Sequence, residues 1–470
     1  MKLVLRTLAA VCLILSAAAA EKPNLLFLFA DDMTWKAVDA LSEEDIDTPN
    51  LDRLVEQGTT FKRAYNPGGW NGAICIAART MLNTGRPLWH AHAAEKQLNE
   101  TFVKPGKTWS QLLSQAGYRT CMSGKWHVKM TPAEIFDEVR HIRPGMPRDR
   151  KNAYGRPIEG KPDTWSPTDR EEGGFWQGGK HWSEVIVDDF HDFLASDDER
   201  PWFMYIAFNA PHDPRQSPQA DLDRYPLDRI QLPPNFLSEY PFHEPMASGP
   251  KLRDEALAPF PRTPFAVKTH RREYYAIVSH LDTQIGRILD RLEESGQADN
   301  TVICFTADHG LSVGEHGLLG KQNQYDHSVR VPFILAGPGM PKGKSIDAPI
   351  YFQDFMPTTL ELAGAPVPDH VAFQSLLPLI QGSGKPREFI VSAYRMTQRM
   401  IEKDGRKLIL YPAAKIARVY DLHQDPHETK DLIGTPEGRA IAAELFPLLV
   451  KGLAETGDTL DLQQSFAYRF

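Results

Sequence analysis

Asn24-Leu25-Leu26-Phe27-Leu28-Phe29-Ala30-Asp31-Asp32 sets the fold: an apolar run, then two carboxylates. A run without polar alternation suits a strand buried on both faces, as in a parallel sheet covered by helices. The pattern recurs at Trp202 to Asn209, which leads into Ala210-Pro211-His212, and at Thr301 to Ala307, which leads into Asp308-His309-Gly310. In open α/β sheets the ligand crevice lies outside the carboxyl ends of the strands, so three predicted strands deliver polar side chains to one edge. Helical patterns separate them at Thr48 to Gln57, Thr108 to Gln115, Val185 to Leu194 and Arg271 to Ser295. This alternation predicts an α/β fold: a large mixed, mostly parallel sheet sandwiched by helices.

From about Arg387 the pattern changes to short strands, Glu388 to Tyr394, Arg399 to Lys403 and Arg406 to Tyr411, the last two joined by the hairpin turn Asp404-Gly405. Residues 386–470 are therefore expected to form a smaller antiparallel C-terminal subdomain, and 21–385 the main domain. Stretches 128–182 and 211–265 lack periodicity and read as excursions from the core. Residues 1–20 read as a secretory signal peptide: Lys2 and Arg6 precede an apolar run from Leu8 to Leu15, and Ala18-Ala19-Ala20 offers a cleavage site. That run is well short of the roughly 20 residues needed to cross a bilayer, so an exported, soluble protein of the periplasm or the extracellular space is expected, with no membrane span.

The 53 Lys and Arg against 61 Asp and Glu give a net charge of −8, and loss of Lys2 and Arg6 with the leader deepens it. No global positive field exists to hold nucleic acid. Composition, 41% hydrophobic and 24% charged, is that of an ordinary globular chain and excludes disorder. Cys12 leaves with the leader, and the remaining Cys75, Cys121 and Cys304 are an odd count that makes no disulfide framework.

Taken alone, Cys75 reads first as a small buried hydrophobe. Its context is more specific: Cys75-Ile76-Ala77-Ala78-Arg79-Thr80-Met81-Leu82-Asn83-Thr84-Gly85-Arg86. Ala77 to Asn83 is good helix-forming sequence ending at Gly85, which puts Cys75 at a helix N-terminus, where unpaired backbone donors suit an anion. The segment resembles the signature of type I sulfatases, Cys-x-Pro/Ala-x-Arg running into Leu-x-Thr-Gly-Arg, with Ala77 and Ala78 where Pro and Ser are commonest. Gly117-Tyr118-Arg119-Thr120 and Gly124-Lys125-Trp126-His127 are similar to the second signature of the same family. Val419-Tyr420-Asp421-Leu422, with Asp425-Pro426-His427-Glu428 and Asp431-Leu432 behind it, resembles the family's C-terminal run, which is structural.

The resemblance implies an alkaline-phosphatase-like fold and hydrolysis of sulfuric esters. It implies that a formylglycine-generating enzyme or an anaerobic sulfatase-maturing enzyme oxidises Cys75 to Cα-formylglycine. The hydrate of that aldehyde is the family's nucleophile, one hydroxyl taking the sulfuryl group and the other, once deprotonated, expelling sulfate. Catalytic residues carried over by the match are Cys75, Arg79, Lys125, His127, His212 and Lys321. Lys125 and Lys321 hold sulfate, His127 takes the diol proton, and His212 serves the leaving oxygen. Asp31, Asp32, Asp308 and His309, with position 75 as fifth ligand, match the family's divalent cation site, usually Ca²⁺, and three carboxylates fit a hard cation. His309 is a feature shared with the iduronate-2-sulfatase branch. His316 is expected to be structural.

For the substrate, Arg140, Arg143, Arg148, Arg150, Lys151, Arg156 and Lys161 crowd one stretch that contains only Asp149 and Glu159, and Trp165, Trp176 and Trp182 follow. Arg143, Arg148, Arg150, Lys151, Trp165 and Trp176 are the candidate substrate residues, the cations for an anionic sugar and the indoles for pyranose faces. This favours a sulfated carbohydrate, as in the bacterial polysaccharide sulfatases. The competing readings are a phosphonate monoester or phosphodiester hydrolase of the same superfamily, and an inactive sulfated-glycan binding protein, which would have no need of the complete catalytic set.

Overall fold

A computed structural model of the chain describes residues 22–145 and 151–466. Its strands are β1 (Asn24–Ala30), β2 (Gly58–Tyr65), β3 (Gly68–Gly69), β4 (Arg119–Lys125), β5 (Glu138–Arg143), β6 (Trp202–Ala207), β7 (Thr301–Ala307), β8 (Arg330–Val331), β9 (Phe333–Ala336), β10 (Lys344–Tyr351), β11 (Ile390–Tyr394), β12 (Gln398–Lys403), β13 (Arg406–Tyr411) and β14 (Ile416–Asp421). Nine of them form one sheet in the order β10-β2-β9-β7-β1-β6-β4-β5, with β8 beside β2. From β7 to β5 every pairing is parallel, and β9 enters antiparallel to both β7 and β2.

All seven residues of β1 are buried, because the strand lies between two parallel neighbours and under helices. Phe27 packs its ring 5.2 Å from Trp109, 5.0 Å from Tyr205 and 5.3 Å from Phe355. Phe27 and Phe29 thus share one face, and alternation turns Leu26 and Leu28 to the other. The helices Trp182–Leu194 and Pro49–Gln57 pack on the long helix Pro264–Glu294, while Ile74–Thr84 and Phe355–Leu362 pack on Trp109–Gln115. The long helix starts seven residues before the expected Arg271, since Thr263 caps it by accepting the Ala266 amide and Pro264 opens it.

The second sheet, in the order β14-β13-β12-β11-β3, is antiparallel from β14 to β11 and is covered by the helix Pro436–Glu455. Its fifth strand is two residues borrowed from the main body: Gly68 and Gly69 pair with Ala393 and Tyr394. Six residues after that splice comes Cys75. The helix that bears it, Ile74–Thr84, has both faces covered: Ala78 and Leu82 join the main core, and Ala77 and Met81 join the core of the smaller sheet. Cys75, Cys121 and Cys304 are all buried and free. Among the described residues no helix is long and apolar enough to cross a membrane.

Candidate active site

Strand register assembles the site. β1 and β7 pair with Ala30 opposite Ala307, so Asp31-Asp32 and Asp308-His309 leave the sheet side by side, and the Asp32 amide donates to Asp308 Oδ1 at 3.2 Å. β6 pairs on the other flank with Ala207 opposite Phe29, and the Asp31 amide donates to the Ala210 carbonyl at 3.1 Å, which brings His212 to the same edge. β4 ends one strand further out at Lys125. Gly124 makes that ending possible, for at its φ of +100° a Cβ would stand 1.9 Å from the Ala207 carbonyl oxygen.

Cys75 is the second residue of its helix, which closes at Gly85 in the left-handed conformation. Its Sγ lies 3.3 Å from His309 Nε2, 3.6 Å from Lys321 Nζ and 3.9 Å from Asp32 Oδ1. One helical turn on, Arg79 donates from Nε to Asp308 Oδ2 at 3.1 Å and from Nη1 to the Lys125 carbonyl at 2.8 Å, and its Nη2 is 3.5 Å from Asp31 Oδ1. A Cys-to-Arg spacing of four residues therefore puts the thiol and the guanidinium on one helix face. Lys125 Nζ pairs with Asp31 Oδ2, and Lys321 Nζ donates to both oxygens of Asp32 at 2.9 and 2.7 Å. His212 turns Nε2 toward the same cluster, 3.1 Å from Lys321 Nζ and 3.5 Å from Asp32 Oδ2.

Burial makes these charges strongly interdependent. The Cys75 thiol is held well below its usual value: burial and Asp31 push it up, and Lys125, Lys321 and His309 outweigh them. Burial raises the Asp32 carboxyl to about 6 even with His212, Lys321 and His309 pulling it down. Burial lowers His309, but Asp308 and Asp32 carry it up to about 9. His212 is likewise lowered by burial and raised more by Asp32, to about 10. His127 goes the other way, lowered chiefly by burial, and so stays a neutral imidazole able to accept a proton. Asp32 and His127 sit at φ of 66° and 52°, left-handed conformations that non-glycine residues adopt at a cost and that gather at functional sites.

Asp31, Asp32, Cys75, Asp308 and His309 each offer a ligand atom within 4.8 Å of the others, and all five are buried. Arg79, Lys125 and Lys321 already pair with the three carboxylates, and the cluster, with oxygen donors at three of its five positions, can still take a divalent cation, so the residues present fit a metal ion.

The substrate candidates are placed differently. Trp165 is 4% exposed and Trp176 and Trp182 3% each, so the indoles are packed and present no face to a pyranose. Arg143 stacks over Trp182 at 4.6 Å, and Arg156 is buried between Asp163 and Glu273. Lys151 is exposed, and Arg148 and Arg150 lie outside the described residues. His316 is buried, stacked on Tyr325 at 3.9 Å and bonded to the Glu428 carbonyl. Sequence reading missed Asp213, Asp254 and Arg253, which pack behind His212 and Lys321. Asp213 adjoins His212 and could have been flagged, whereas residues 253 and 254 sit in an aperiodic stretch with no local signal.

A sheet edge that pins lysines and an arginine against buried carboxylates, on this fold, places the protein among the alkaline phosphatase superfamily. Residues 23–365 match the model of the sulfatase family, and 314–454 match that of the C-terminal region of N-sulphoglucosamine sulphohydrolase. The chain belongs to the sulfatase family and is a sulfuric ester hydrolase. It is 29% identical to a sulfatase of Formosa agariphila over 87% of this chain and 82% of that one. To the N-acetylglucosamine-6-O-sulfatase of Bacteroides thetaiotaomicron it is 26% identical, covering 91% and 86%. Among solved structures, one described as in complex with its substrate D-glucosamine-2-N,6-O-disulfate superposes with a TM-score of 0.73 at 25% identity, over 93% of this chain and 99% of that one. The phosphonate monoester hydrolase of Silicibacter pomeroyi shares the fold, with a TM-score of 0.72 at 21% identity, over 92% and 96%.

Proposed function

We propose that this protein is an exported hydrolase that releases inorganic sulfate from a sulfated carbohydrate, using Cα-formylglycine made from Cys75 and one divalent cation, calcium by donor type. The observation that carries the reading is Cys75 at the head of a buried helix, with Sγ between His309 and Lys321 and Arg79 one turn behind. The glucosamine disulfate bound by one structural relative and the N-acetylglucosamine ester named for another support a sugar as the alcohol. In this reading residues 1–20 are the signal peptide, 21–385 carry the chemistry and 386–470 brace the nucleophile helix, and either maturation enzyme is the obligatory partner.

When present, the hydrated formylglycine supplies a nucleophilic geminal diol and the cation supplies counter-charge for the oxygens around it. The rest falls to the chain's own side chains. Lys125 and Lys321 neutralise the sulfate, helped by the open amides of the helix start. Arg79 holds Asp31 and Asp308 in place and keeps their charge compensated. His127, neutral, takes a proton from the hydroxyl at position 75. His212, fixed at Nδ1 by the Asp213 carbonyl at 2.8 Å, presents Nε2 to the departing oxygen.

The test is release of sulfate from a panel of sulfated oligosaccharides by protein produced with a maturation enzyme, against phosphate diesters and phosphonate monoesters. Sulfate release that stops on chelation and returns with calcium is expected. Preference for the phosphorus esters makes the protein a phosphonate hydrolase, and glycan binding without release makes it a lectin-like relic.

A further inference from the structure

Within the basic stretch that suggested an anionic sugar, Arg140 and Arg156 are taken up by ion pairs and Arg143 by Trp182, and a different arginine stands beside His212 and Lys321. Asp213 lies behind His212, with Oδ1 3.1 Å from His212 Nδ1, and its Oδ2 accepts from the Tyr154 hydroxyl at 3.3 Å. The same Oδ1 is 3.6 Å from Arg253 Nη2. Arg253 donates from Nε and Nη2 to Asp254 Oδ1 at 2.9 and 2.5 Å, and Asp254 Oδ2 lies 3.7 Å from Lys321 Nζ. Two buried carboxylates thus pin the guanidinium beside the two cations, His212 and Lys321, that face Cys75.

Exposure separates Arg253 from its neighbours. Its side chain is 35% exposed, whereas those of Asp213, Asp254, His212 and Lys321 are 4% or less. It is the cation of this group that meets solvent. Nε and Nη2 are engaged by Asp254, and among the described residues no hydrogen bond from Nη1 is formed. The Leu252 side chain, from the preceding residue, lies against Gly72, three residues before Cys75, so this segment packs beside the chain that leads into the nucleophile's helix.

We propose that Arg253 is a specificity residue that binds a second anionic group, a carboxylate or another sulfate, on the sugar whose sulfate is removed. The proposal rests on the sulfatase reading above and names the substrate class within it. In that reading the leaving oxygen meets His212, and Arg253, joined to His212 through Asp213, is the solvent-exposed cation available to a charged substituent beside it. A guanidinium offers a planar fork to carboxylate or sulfate oxygens that an ammonium does not. Because Asp254 and Asp213 already hold it, little side-chain freedom is lost on binding.

The test compares two sugar sulfates, one carrying only the scissile ester and one with an additional carboxylate or sulfate on the same ring. The readout is the ratio of their kcat/KM values, which cancels any effect of Arg253 on His212 through Asp213. Wild type favours the doubly anionic sugar, and Arg253→Gln lowers that ratio by about tenfold or more, with Arg253→Lys between them. An unchanged ratio in Arg253→Gln, or a wild type indifferent to the second anion, overturns the proposal. The ratio of dissociation constants for the same sugars, measured by calorimetry, applies the same criterion without turnover. If wild type releases sulfate from neither sugar, the sulfatase reading fails, while the binding ratio still decides on Arg253.

Discussion

Arg79→Ala is expected to be among the most damaging single substitutions away from the reacting atoms. The guanidinium is fully buried, stacks on Phe29 at 4.6 Å and is the partner of two carboxylates, Asp308 at 3.1 Å and Asp31 at 3.5 Å, as well as of the Lys125 carbonyl. Burial lowers its pKa, and Asp308 and Asp31 more than reverse this, so the charge is retained. Removing one partner of a buried ion pair costs about 3–5 kcal/mol, because the other charge stays behind unpaired. At an unfolding entropy of roughly 2.1 cal/mol/K per residue, a chain of 470 residues loses about 3–5 °C in thermal midpoint for that cost. Differential scanning calorimetry on calcium-free protein reads this directly, since there no cation shares the compensation. Arg79→Met, which keeps most of the volume, should lose nearly as much, which separates the charge from the cavity. A drop below 1 °C in both variants would refute the claim that Arg79 compensates Asp31 and Asp308.

Two further outcomes concern the brace between the sheets. Lys407 of β13 is fully buried and donates to Asp326 at 2.5 Å and Glu428 at 2.7 Å, so Lys407→Met should cost about 3–5 kcal/mol in denaturant unfolding, and a loss under 1 kcal/mol would contradict that role. Burial holds His316 neutral, its pKa lowered from 6.5 to about 4. The unfolded chain therefore takes up a proton that the fold refuses as pH falls from 6.5, and stability declines by up to about 3 kcal/mol by pH 4. His316→Gln should flatten the midpoint-against-pH curve in that window, and an unaltered slope would show that the imidazole is not the cause.

The parallel core was legible because β1, β6 and β7 are buried on both faces and so are written as apolar runs, and because polar residues follow each at once. The small sheet was legible from Asp404-Gly405, although β3 was not: two glycines that pair with β11 have no periodicity to read. The catalytic and metal candidates were named from the resemblance to the sulfatase signatures, and the register of β1 with β6 and β7 brings Asp31, Asp32, Asp308, His309 and His212 to one sheet edge. The tryptophans misled because an indole in an aperiodic stretch looks exposed, whereas here Phe175, His181 and Arg143 enclose Trp182 and its neighbours. Arg253 and Asp254 could not be found from sequence, since their role arises from Asp213 and Lys321, about 40 and 70 residues away along the chain.

The claim at the centre is that residue 75 acts as formylglycine. The tryptic peptide Ala64–Arg79 contains Cys75 as its one cysteine and ends at Arg79, so mass spectrometry of enzyme active in sulfate release reports on it directly. The aldehyde or its hydrate is expected there, with turnover proportional to the converted fraction across preparations and absent in Cys75→Ser made where serine is not converted. Full turnover from protein that carries only the thiol at Cys75 would contradict the account.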